Sequence, residues 1–178
     1  LTGVQHRTKI DRARVVSYHR PMSIDTTNTA EFSRKTTLDG GMRVLTSAIP
    51  HARSVSVSIF AGVGSRYEQV ETAGISHVVE HMLFKGTERR PAPEQISGAV
   101  EGVGGVMNAG TEQELTVYWC KVAQADAAEC LDLLIDMLRN SLYEPEEIER
   151  ERMVLLEEQG MVHDHPSNRV DALIDEML

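Results

Sequence analysis

Several features are scarce in this chain, and each scarcity removes a class of protein. Nowhere do 18 apolar residues run together, so the sequence predicts no membrane-spanning helix. The only two cysteines, Cys120 and Cys130, form no CxxC pair and are too few to frame a fold of 178 residues. Their low count points to a reducing compartment, read here as the cytoplasm. Cations are in deficit: 18 Lys and Arg face 27 Asp and Glu, for a net charge of −9. That balance argues against nucleic acid or an anionic membrane as the main partner. There is no P-loop, and no GxGxxG follows a strand, so phosphate chemistry has no support. Aromatics make up 4% of the chain and hydrophobic residues 41%, as in a soluble globular protein whose core needs no staple.

Residues 1–30 stand apart. They hold five Lys or Arg against two acids, lack a long apolar period and end in the polar run SIDTTNTA. A flexible arm is expected there, with a targeting segment disfavoured by Asp11 and the missing apolar region. Residues 31–178 carry regular patterns. TTLDGGMRVLTSAI reads as a hairpin, with Asp39-Gly40-Gly41 supplying positive φ at the turn. SVSVSIF alternates, with Val55, Val57 and Ile59 on one face. A helix is predicted from about Ala73 to Lys85, and a second from Pro93 to the glycines at 102–105. VMNA and LTVYWCKV read as strands around TEQE. Asp126 to Asn140 places Leu131, Leu134, Ile135 and Leu138 at helical spacing. Pro145 opens a long helix, and Ser167 caps a last one striped by Val170, Leu173, Ile174 and Met177. The mixture predicts an α+β fold, a mainly antiparallel sheet packed against helices.

The stretch GISHVVEHMLFKGT places two histidines and a glutamate within five positions. On a helix advancing about 100° per residue, His77, Glu80 and His81 share a face opposite Ile75, Val78, Val79, Met82 and Leu83. Two imidazoles at i and i+4 can converge on one ion, and Glu80 can reach water beside it. The plainer possibility is an amphipathic helix that shows these groups to solvent. A third ligand decides between them. On the long helix, Glu151 and Glu158 fall within the apolar stripe of Ile148, Val154, Leu155, Met161 and Val162, whereas Glu157 points away. A carboxylate turned toward a core needs a partner. That partner is either a cation at the histidines or a buried ion pair. Seven residues rise about 10.5 Å, so one glutamate can be a ligand and the other orients.

In these residues the chain resembles the pitrilysin-type (M16) zinc metallopeptidases, in which HxxEH is the inverted zincin signature. More narrowly it is similar to bacterial processing-protease-like members, relatives of the mitochondrial processing peptidase beta subunit. The blocks TTLDGGMRVLT, VGSRYE, GISHVVEHMLFKGT, EGVGGVMNAGTEQELTVYW and ERERMVLLEE follow in the family's order across residues 35–178. The resemblance implies a LuxS/MPP-like metallohydrolase fold and one zinc per chain, held by His77, His81 and Glu158. It makes Glu80 the general base and Glu151 a catalytic-site partner seven residues before the third ligand. Asn108 and Ala109 fall in the strand that lines the substrate. The implied activity is endopeptidase cleavage of extended peptides or unfolded segments. A second M16 domain or homologous subunit is implied as partner, with 31–178 forming a truncated N-terminal domain able to pair with itself. In a eukaryote the setting becomes the mitochondrial matrix. The rivals are a non-catalytic structural subunit of the same family and a binding module with a structural zinc.

Overall fold

The computed structural model describes residues 33–164 and 166–177, in two compact units that divide after His51. The arm expected over 1–30 lies outside the described residues. In the first unit, β1 (Ser33–Thr37) and β2 (Arg43–Ser47) form an antiparallel hairpin that pairs Thr37 with Arg43. Gly41 takes the left-handed φ of 81° that the turn requires, and the Leu38 N–H closes it on the Met42 carbonyl.

The second unit is a three-stranded antiparallel sheet in the order β3 (Ser54–Ala61), β5 (Thr116–Ala123), β4 (Val106–Thr111). Alternation along β3 turns Val55, Val57 and Ile59 inward and leaves the serines exposed, as the sequence pattern requires. Against the inward face pack α1 (Ile75–Met82), α2 (Pro93–Glu101) and α3 (Ala127–Asn140). Leu83, Ile96, Val100, Tyr118, Val122, Leu133, Leu134 and Met137 fill the space between. α4 (Pro145–Asp164) lies against α1, and α5 (Pro166–Met177) against α4. Every strand pair is antiparallel, so the chain has the α+β architecture expected of it.

Three sequence expectations shift. α3 buries Cys130, Leu133, Leu134 and Met137, whereas Leu131, Ile135 and Leu138 are 43%, 42% and 36% exposed. Two apolar stripes offset by one residue share this helix, and periodicity alone does not choose between them. Ser167 lies inside the first turn of α5, which starts at Pro166, a residue suited to that position. Finally, Cys120 and Cys130 are joined as a disulfide from β5 to α3 within the core. Cys130 is a core residue, and the pairing runs against the reducing compartment that the cysteine count suggested.

Two polar devices fix α1. At its start, Glu68 accepts the backbone N–H groups of Gly74 (2.6 Å) and Ser76 (2.8 Å). Burial opposes the charge on Glu68, but the bonds from Ser76 and Gly74 outweigh it and hold the carboxyl below its usual range. Beyond its end, Thr87 and Arg90 meet the buried Asp136 of α3. The Thr87 hydroxyl donates at 2.8 Å, Asn140 donates at 2.8 Å, and Arg90 forms an ion pair. These bonds lower the Asp136 pKa despite burial. Alanine at Asp136 leaves the proton of the fully buried Thr87 hydroxyl without its acceptor and is expected to cost about 3 kcal/mol. Alanine at Glu68 removes a helix cap worth about 1 kcal/mol. Urea unfolding should show both losses. Each carboxyl titrates lower folded than unfolded. The stability the two supply is therefore complete above their unfolded values of about 4 and disappears as pH falls through the folded ones. The gap between wild type and either variant should close below about pH 4.

Candidate metal centre

α1 presents His77, Glu80 and His81 on the face opposite Met82 and Leu83, which are both 1% exposed. α4 brings Glu151 and Glu158 to the same place, and β4 passes beside it. The two histidine Nε2 atoms face each other at 3.2 Å, with the rings nearly perpendicular. The Glu158 Oε2 atom stands 3.8 Å from the Nε2 of His77 and 3.7 Å from that of His81. Ligands about 2.0–2.1 Å from one tetrahedral ion are separated by roughly 3.3 Å. One atom from each of His77, His81 and Glu158 lies within 4.8 Å of the others, so the three fit around one ion with small adjustment.

His81 is held by its other nitrogen. Its Nδ1 is 2.9 Å from Glu151 Oε2, and the second oxygen of Glu151 pairs with Lys85. A carboxylate on Nδ1 keeps the proton there and leaves the Nε2 lone pair free, the usual arrangement behind a metal-binding histidine. Glu151 is 5% exposed. Burial raises its pKa, but the bonds from Lys85 and His81 more than offset this, so its carboxyl titrates below the ordinary range. It is ionised at neutral pH and is not an available proton donor.

Glu80 is half-buried. Its Oε2 accepts a 2.5 Å hydrogen bond from the Thr111 hydroxyl on β4. With His81, Phe84, Lys85, Val100, Met107 and Asn108 it lines an open cleft of about 450 Å³. Asn108 is on the cleft, and its side-chain oxygen accepts the Ala109 N–H at 2.9 Å. The Ala109 side chain packs toward the core, so only its backbone is available to a ligand. Glu157 is exposed on α4, as the helical wheel requires.

Two residues of the centre escaped the sequence reading. Lys85 fell at the end of the predicted helix but was given no role, and α1 ends three residues before it; Thr111 was read as part of the turn between strands. Register explains the second miss: β4 runs on to pair Thr111 with Thr116, which carries its hydroxyl back over α1.

The profile described as Insulinase (Peptidase family M16) matches residues 43–177. A protein named as an uncharacterized zinc protease of Streptomyces coelicolor is 44% identical over 140 residues, covering 79% of this chain and 30% of that one. A probable mitochondrial-processing peptidase subunit beta of Arabidopsis thaliana is 42% identical over 126 residues, covering 71% and 24%. The crystal structure of a protease from Helicobacter pylori superposes with a TM-score of 0.68 at 28% identity, over 74% of this chain and 34% of the other. The chain thus spans between about a quarter and a third of the length of these relatives. With HVVEH on α1 and a matching profile across most of its residues, the chain belongs to the insulinase family of peptidases, M16.

Proposed function

We propose that this chain is the metal-binding part of a zinc-dependent endopeptidase that cleaves extended peptides or unfolded segments, with one zinc per chain. The observation that carries this reading is the convergence of His77, His81 and Glu158 beside Glu80. Zinc, when bound, supplies a Lewis acid that acidifies water and polarises a carbonyl. The chain's own residues do the rest. His77, His81 and Glu158 would hold the ion, and Glu151 orients His81 through Nδ1. Lys85 balances the charge of Glu151 on the side away from the histidine. Glu80 takes the proton from the attacking water and passes it to the leaving amine.

Substrate alignment follows from the topology. β4 pairs only with β5 among the described strands, so its other edge can add an extended peptide by backbone pairing. Asn108 then faces the peptide from the cleft. A second M16 domain or subunit belongs to the same proposal, supported by the chain's spanning between about a quarter and a third of its relatives. No described helix is long and apolar enough to cross a membrane. A cytoplasmic setting is supported by the bacterial source of the zinc-protease relatives, and the Cys120–Cys130 bond stands against it. No observation favours a non-catalytic structural subunit.

Mass spectrometry of the folded chain after zinc is added should find about one ion per molecule. Glu158→Gln should abolish it and Glu157→Gln retain it; a parent chain that takes up no zinc would overturn the reading. Glu151→Gln should keep the ion but weaken its affinity about 10- to 100-fold in a competition with a chromophoric chelator. Glu80→Gln should leave zinc content unchanged while peptide hydrolysis falls by at least about 100-fold.

A further inference from the structure

Taking the peptidase reading as its basis, we propose that Thr111 is a positioning residue for Glu80. The two threonines are paired across β4 and β5, with their hydroxyl oxygens 3.4 Å apart. Thr116 is 1% exposed, and its hydroxyl donates to the Val63 carbonyl at 3.1 Å. A hydroxyl has one proton to give. Thr111 can give its own to Thr116 at 3.4 Å or to Glu80 Oε2 at 2.5 Å, and the shorter contact, to a charged acceptor, takes it.

The consequence for Glu80 is rotational. A glutamate carboxylate turns freely about its last bond, and its two oxygens are equivalent until something distinguishes them. A hydrogen bond from a β-branched residue on a paired strand makes that distinction, because the threonine χ1 is itself stiff. Oε2 is then the held oxygen. Oε1 is left as the one that accepts a proton from water and returns it to the amine of the cleaved bond. The hydroxyl of Thr111 meets Glu80 and Thr116, not the three residues that would hold the ion, so it acts on the position of the base. Its role is therefore separable from metal binding.

The test compares Thr111→Val, which keeps the shape and removes the donor, with Thr111→Ser, which keeps the donor. The chain carries ¹³C-labelled glutamate, and the Glu80 carboxyl signal is assigned by its absence from Glu80→Gln. In the zinc-loaded chain at fixed neutral pH, Thr111→Val should move that signal and Thr111→Ser should leave it in place. Zinc content should be one per chain in all three. With a fluorogenic peptide, kcat should fall roughly tenfold in Thr111→Val, the order supplied by one hydrogen bond to a charged group, at unchanged KM. Thr111→Ser should restore it. An unmoved Glu80 signal in folded, zinc-loaded Thr111→Val, or an unchanged kcat, overturns the positioning role. If the signal moves as expected but the wild-type chain hydrolyses no peptide, the peptidase reading of this chain fails while the hold of Thr111 on Glu80 stands.

Discussion

The contact of Glu151 with His81 and Lys85 sets where α4 lies against α1, and the candidate centre depends on that placement. A carboxylate this deeply buried is costly without partners. Both of its partners lie on α1 or just beyond it, so α4 has one register in which Glu151 is satisfied. A slip of one residue turns the helix by about 100° and would present Arg150 or Arg152 to the imidazole. Seven residues further on, a helix has returned to within about 20° of the same face. The register that satisfies Glu151 therefore also delivers Glu158 to the two Nε2 atoms. One ion-paired carboxylate thus orients a histidine and positions its neighbouring acid.

The other side of the centre depends on how the β4–β5 hairpin meets the start of α1. Segment 64–68 makes that junction. The N–H groups of Ser65 and Arg66 bond the carbonyls of Glu112 and Gln113 at the hairpin turn. A side chain at Gly64 would strike the Glu112 carbonyl, with a Cβ only 2.3 Å from its oxygen, so glycine alone permits this approach. Arg66 pairs with Glu114, and Glu68 caps α1. A few residues thus tie the strand that carries Asn108 and Thr111 to the helix that carries Glu80. The VGSRYE block has its physical reason here: it joins two elements that line the candidate centre.

Much of this was legible in the sequence because it depends on period and spacing. The hairpin around Gly41, the alternation of β3 and the α1 wheel all follow from patterns local to one element. Glu151 was also readable, since an acid within an apolar stripe contradicts burial unless paired, but Glu158, on the same wheel, keeps a side chain 44% exposed. Pairwise geometry between elements was hidden. The wheel of α4 took Val154 and Met161 as part of the inward stripe, yet they are 40% and 72% exposed. The inward face is narrower and more polar than apolar counting suggests. α3 offers two interchangeable stripes, and packing against β3 and β5 decides between them. Thr111 became visible only once strand register placed it over Glu80.

The composition of the α4 face has a further consequence. Leu83, Ile96, Val100, Leu133, Leu134 and Met137 hold the sheet and α1–α3 together by apolar burial. Among its described side chains α4 has no such set: Ile148 and Leu155 are only partly buried, and Met153, Val154, Leu156 and Met161 face outward. Its docking against α1 therefore relies on Glu151 and on Glu158 facing two imidazoles. An ion held by His77, His81 and Glu158 would bridge α1 to α4, and its binding energy would then contribute to docking the helix. The fold thus separates an apolar body, stable by its core, from a polar helix whose seat against α1 and whose role in the centre are one set of contacts. Stability and site assembly then respond differently to substitution: changes at Leu134 act on the body, and changes at Glu151 act on the seat of α4.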